Sequence, residues 1–154
     1  MKNIILAALL TLICIPSFGS STAKFCSKLK FEMQKLHNQM PLEVDNMTTA
    51  VGIQTLLVGN QCLVNYSYLI NTKKFIDDML SSGELTTSEA YEHISSRDGR
   101  NDLQEIFNDI AIGSVNSSMK TFKKLPNMKI TYTYRFDDLK ITPFVAVGLD
   151  NNSK

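Results

Sequence analysis

The sequence predicts an α+β fold: a four-stranded antiparallel sheet of two hairpins, with helices packed on one face, in the order α-β-β-α-β-β. Three observations carry this. Residues 51–68 and 128–147 alternate apolar and polar side chains with period two. Residues 24–39 and 103–122 repeat apolar side chains every three or four positions. Each strand pair and each helix therefore has one apolar side, and such elements bury economically when helices cover one face of a sheet.

The first helix is expected over 24–39, with Phe25, Leu29, Met33, Leu36 and Met40 as its apolar stripe and Pro41 as its stop. The first hairpin closes at Gly59-Asn60, a glycine-led two-residue turn. That turn pairs Leu57 with Cys62, Thr55 with Val64, Ile53 with Tyr66 and Val51 with Tyr68. A short helix over 73–81 follows, capped by Thr72 and stopped by Gly83. Thr86-Thr87-Ser88-Glu89 reads as another helix start, and "SSRDGRND" at 95–102 as a polar break. Leu103, Ile106, Phe107 and Ile110 mark a further helix, bent near Gly113 and reaching Met119 and Phe122 before Pro126.

The second hairpin is expected to turn at Asp137-Asp138. Met128, Ile130, Tyr132, Tyr134 and Phe136 would then share a face with Leu139, Ile141, Pro143, Val145 and Val147. Pro143 has no amide hydrogen, so its strand belongs at an edge or at a bulge.

Residues 1–19 have the layout of a secretory signal: Lys2, an apolar run from Ile4 to Ile15, then Pro16. Ser17 and Gly19 suit cleavage after Gly19, and Ala23 offers a second position. The run is too short to span a bilayer as a helix. Cys14 raises lipidation as an alternative, but Thr11 and Ile13 stand where a lipobox wants leucine and a small residue. Residues 24–150 form the single expected domain, periplasmic or secreted, with no stable membrane span after cleavage.

Of three cysteines, Cys26 and Cys62 remain after cleavage. The register places Cys62 on the core side of its hairpin, and Cys26 borders the helix stripe that covers this side. The expectation is a Cys26–Cys62 disulfide, against two unlinked buried thiols. With no C-x-x-C, redox catalysis has no support.

Charge narrows the partners. Sixteen basic against 15 acidic residues is not the excess of a nucleic-acid binder. The lysines are scattered along the chain, so no polybasic membrane anchor is visible.

No catalytic, cofactor or metal site emerges. The two histidines, His37 and His93, form no H-E-x-x-H. The carboxylate pairs Asp77-Asp78, Asp98 with Asp102, and Asp137-Asp138 read as a helix surface, a polar loop and a turn. Tyr66, Tyr68, Tyr132 and Tyr134 read as core rather than as a groove. Asn46, Asn65, Asn116 and Asn151 lie in N-x-S/T sequons, which matter only in a eukaryotic secretory pathway.

Two stretches carry a resemblance. "PLEVDNMTTAVGIQTLLVGNQCLVNYSYLIN" and "KITYTYRFDDLKITPFVAVGLDN" resemble a pattern of small exported bacterial proteins of unassigned function, over about residues 41–70 and 101–150. The resemblance implies a bacterial, exported α+β domain. Proteins of this pattern often have late cysteines, whereas this chain has none after Cys62. The functional expectation is a non-enzymatic domain that binds another envelope or secreted protein, as an inhibitor, immunity or assembly accessory protein. A carrier of small apolar ligands or lipid is the first alternative, and a small secreted hydrolase around His93 the second.

Overall fold

A computed structural model describes residues 22–81, 83 and 85–151. The expected leader, residues 1–19, lies outside them. The chain runs through α1 (Thr22–His37), β1 (Leu42–Glu43), β2 (Thr48–Val58) and β3 (Gln61–Ile70). It continues with α2 (Thr72–Leu80), α3 (Thr87–Ser95), α4 (Arg97–Ser118), a 3₁₀ segment (Lys120–Lys124), β4 (Met128–Phe136) and β5 (Phe144–Asp150).

The α+β class stands, but the sheet is not four antiparallel strands. It has five strands in the order β1-β2-β3-β4-β5, and β3 and β4 run parallel, with Cys62 beside Met128 and Ile70 beside Phe136. The reason lies in the crossover. Parallel neighbours need a long connection, and the chain supplies one in α2, α3 and α4. The 22 residues of α4 span about 33 Å at 1.5 Å per residue, enough to return the chain to the end where β3 began.

The first hairpin has the expected register from Leu57–Cys62 to Ile53–Tyr66, closed by Gly59 at φ 61°. Past that point a bulge at Val51 makes Ala50 the partner of Tyr68. The second hairpin departs further. Its strands are joined by residues 137–143, and Tyr134 faces Phe144 instead of Ile141. That shift of three positions is odd, so it exchanges the two faces of β5. Phe144 and Ala146 are buried, while Val145 and Val147 are exposed and Leu139 is 95% exposed. A second shift falls between Ile130 and Thr131, opposite Gly148. A Cβ at Gly148 would stand 2.8 Å from both the Ala111 carbonyl oxygen and the Tyr132 ring, so this glycine lets α4 lie close on β5.

Local capping differs in small ways from expectation. Asn71, not Thr72, caps α2: its side chain accepts from the Lys74 amide, while the Thr72 hydroxyl donates to Asp137. Thr86 and Glu89 form a capping box at the start of α3. The break expected over 95–102 shrinks to Ser96, which ends α3 and begins α4. Its hydroxyl donates to the His93 carbonyl and accepts from the Gly99 amide. α4 continues through Gly113, and its core stripe is Leu103, Phe107, Ala111 and Val115, leaving Ile106 and Ile110 half exposed.

The core lies between the helices and one sheet face. Tyr66, Tyr68, Tyr132 and Tyr134 form a stacked row there, extended by Phe107 and Phe144. Leu29 and Met33 of α1 are buried in the same core, with Met33 Sδ against the Tyr66 hydroxyl.

Candidate functional site

Alternation along β3 buries Cys62, Val64, Tyr66, Tyr68 and Ile70 and leaves Leu63, Asn65, Ser67 and Leu69 on the opposite face. This second face stays accessible. At its centre the Asn65 Oδ1 accepts hydrogen bonds from Thr131 Oγ1 (2.9 Å) and Thr133 Oγ1 (3.0 Å), and Asn65 Nδ2 donates to Ser67 Oγ. Side chains paired directly across neighbouring strands support each other in this way. Aliphatic groups flank the polar centre, with Val145 and Val147 on one side and Leu56 and Val58 on the other.

The outer edge of β5 is partly occupied. Gln104 of α4 donates to the Val145 carbonyl (3.0 Å) and Arg100 to the Thr142 carbonyl (3.0 Å). Such contacts blunt an edge that would otherwise pair with another strand.

The predicted site residues distribute as follows. Cys26 and Cys62 meet at disulfide distance, with Cα atoms 5.5 Å apart and both side chains buried. Tyr66, Tyr68 and Tyr134 are core, and loss of solvent raises their hydroxyl pKa values well above the ordinary tyrosine value. Burial raises Tyr132 too, opposed by its hydrogen bond to Ser114. His37 is half-buried, and its Nδ1 accepts the Ile53 amide at 3.2 Å.

His93 Nε2 lies 3.9 Å from Asp102 Oδ2 at an exposed helix corner. The nearby Ser96 hydroxyl is engaged in capping, so no nucleophile is poised beside the pair. Asp98 and the Asp77-Asp78 pair lie on helices, with Asp77 held by Lys73 at 2.7 Å. Asp137 accepts from the Thr72 hydroxyl and amide, and the hydroxyl contact holds its carboxyl below the usual range. Among the described residues no group of three or more His, Cys, Asp or Glu is placed to hold a metal ion. No described helix is long and apolar enough to cross a membrane.

Asp137 also borders a polar cleft of about 230 Å³. Its charged groups hold the surrounding loops. Asp45 accepts from the Met47 and Thr48 amides, and Lys74 donates to the Asn46 carbonyl at 2.6 Å. Among the sequons, Asn65 is tied into the sheet face and Asn116 accepts from Lys123, while that of Asn151 runs beyond the described residues.

One cluster was invisible in the linear sequence. Six lysines, 24, 28, 120, 123, 124 and 129, collect at the end of the sheet that bears the Gly59-Asn60 turn. Hydrogen bonds define this end. Cys62 N–H donates to the Asn127 carbonyl, and Asn127 Nδ2 reaches Thr22 at 3.5 Å. Asn151 Nδ2 donates to the Phe122, Lys123 and Leu125 carbonyls.

The sequence matches no protein-family profile and no curated protein. Among solved structures it is similar to a candidate secreted protein of Pseudomonas aeruginosa, at a TM-score of 0.46 and 11% identity, covering 86% of this chain and 95% of that one.

Proposed function

We infer that this is an exported, non-enzymatic domain that binds another envelope or secreted protein through the open face of its sheet. The carrying observation is the composition of that face. A hydrogen-bonded polar centre at Asn65, Thr131 and Thr133 is flanked by exposed Val145, Val147, Leu56 and Val58. Mixed polar and apolar surface of this kind is what protein interfaces present. The face is favoured over the β5 edge because Gln104 already holds an edge carbonyl. Export is supported by the leader-like residues 1–19 and by the cysteine pair, which suits an oxidising compartment. An apolar carrier has less support, because stacked rings fill the space between sheet and helices. A hydrolase has less, because His93 and Asp102 lack a poised third group.

A photo-crosslinking residue at Val145 or Val147, in the native host, tests this reading. One discrete adduct from these positions, and none from a probe at exposed Phe31 on α1, is expected. Equal adducts from both sides, or none from the sheet face under several growth conditions, would reject it.

A further inference from the structure

Leu56, Leu57 and Val58 are consecutive and 47%, 47% and 59% exposed. Three adjacent exposed aliphatic residues at a hairpin tip are unfavourable in water and call for an occupant. Alternation turns Leu56 and Val58 to one side of the tip and Leu57 to the other, so the tip is apolar on both sides. The disulfide-distance pair at Cys62, opposite Leu57, braces its base.

The surroundings say what that occupant is. Lys24 and Lys28 lie on the first turns of α1, and Lys120, Lys123 and Lys124 on the 3₁₀ segment, all five exposed. Lys129 completes the set and pairs with Asp150 at 2.6 Å. Asp150 is the single carboxylate among the described residues of this end (22–28, 56–63, 116–130 and 149–151). The opposite end is mixed, with Asp45, Asp77, Asp78, Asp137 and Asp138 beside Lys73, Lys74 and Lys140. The chain is close to neutral overall, but the end at the hairpin tip carries a clear basic excess.

We propose that the Leu56–Val58 tip inserts into the headgroup boundary of an anionic phospholipid bilayer, with the surrounding lysines on the lipid phosphates. Apolar insertion combined with attraction to anionic lipid is the physics of interfacial binding. A nucleic-acid strand fits less well. The end has no arginine and no exposed aromatic residue for base stacking. Lipid would then take Leu56 and Val58, and the part of the open face nearer β5, with Asn65, Thr131, Thr133, Val145 and Val147, is what remains for a protein partner. The proposal goes beyond the protein-binding reading and stands or falls separately from it.

The test is co-sedimentation with phosphatidylcholine vesicles containing or lacking phosphatidylglycerol, at low and at 0.5 M salt. The full chain is used in whatever processed form its host yields, so any contribution of residues 1–21 is common to all variants. The wild type should partition only onto anionic vesicles, and high salt should release it. Each lysine near such a surface contributes roughly fivefold in partition, so K120Q/K123Q/K124Q should bind on the order of 100-fold more weakly. L56S/V58S should lose roughly tenfold or more, from the apolar area no longer buried. Thermal midpoints within a few degrees of wild type verify folding, and V58S alone serves if the double variant misfolds. No partition onto anionic vesicles, equal partition onto neutral ones, or full retention by L56S/V58S would each overturn the proposal. So would tighter binding to single-stranded DNA than to the vesicles.

Discussion

Reduction of the Cys26–Cys62 pair should lower stability substantially, and the size follows from the chain. The two positions are separated by 36 residues. Closing a loop of that length removes unfolded-state entropy equivalent to about 4 kcal/mol in the chain-entropy model. Both side chains are buried at the junction of α1 with the first hairpin, so the bond also ties the helix to the sheet at the lysine-rich end. For a domain of this size each kcal/mol moves the melting midpoint by roughly 3–5 °C, so full reduction should cost roughly 10–20 °C. The assay has two parts. Intact mass after alkylation, with and without prior reduction, counts the thiols in protein from its own host. Thermal melts by circular dichroism, with and without a phosphine reductant, then measure the loss. A mass consistent with cleavage after Gly19 or Ala23, no alkylation before reduction and a large drop in midpoint would fit the reasoning. Two alkylated thiols before reduction, or a midpoint unmoved by the reductant, would refute it. Retention of residues 1–19 together with free thiols would also remove the ground for export.

Other predictions rest on single contacts. Gly148→Ala should destabilise by roughly 1–3 kcal/mol in urea unfolding, because its Cβ has nowhere to go between α4 and β5. Asn65→Ala should cost roughly 1–3 kcal/mol by stripping the acceptor from Thr131 and Thr133; in a T131V/T133V background the same change should cost markedly less, as no hydroxyl is left unpaired. The Asp137 pKa is depressed in the fold, so its contribution is present above the unfolded value near pH 4 and lost as the pH falls through the folded value. Asp137→Ala should therefore flatten the acid limb of the stability curve and leave the neutral region comparatively unchanged in shape. The raised tyrosines act at the opposite limit. The folded state holds their protons, so stability falls once pH rises past the unfolded tyrosine value near 10. The tyrosinate absorbance of these groups should appear together with unfolding, and a clean titration of all of them before unfolding would contradict their burial.

Local pattern was legible where neighbours in sequence are neighbours in space. The period of α1, the Gly59-Asn60 turn and the pairing of Leu57 with Cys62 follow from side-chain alternation and turn chemistry. The register in turn set Cys62 facing α1, which is why the cysteine pair could be anticipated. Bulges were not legible. Val51 and the segment near Gly148 look like ordinary strand residues; in the fold His37 accepts the Ile53 amide close to the first bulge, and α4 lies close on Gly148 at the second. The inverted parity of β5 has the same kind of cause. Asp137-Asp138 reads as a turn, but Asp137 is drawn to Thr72 at the start of α2 and the connection lengthens to 143. The open face with its Asn65 network required knowing that Thr131 and Thr133 lie beside Asn65, which no local pattern states.

The parallel pairing of β3 with β4 and the lysine cluster have one cause. In an antiparallel pairing of β3 with β4, Met128 and Lys129 would lie near Ile70, far from the Gly59-Asn60 turn. The 3₁₀ segment that leads into β4 would carry Lys120, Lys123 and Lys124 there with it, among Asp77 and Asp78. Their charges would then be mixed with carboxylates, and the hairpin tip would keep only Lys24 and Lys28. Parallel pairing sets Cys62 beside Met128 and reverses this. It brings both strand beginnings, the aliphatic tip and the lysines to one end. A near-neutral sequence thus acquires a basic end through the direction of one strand pair. Net charge cannot detect that local excess, since it is a sum without positions. The vesicle experiment reads the topology as well as the proposal, because only a parallel β3–β4 pair puts Lys120, Lys123 and Lys124 where they can act together with Leu56 and Val58.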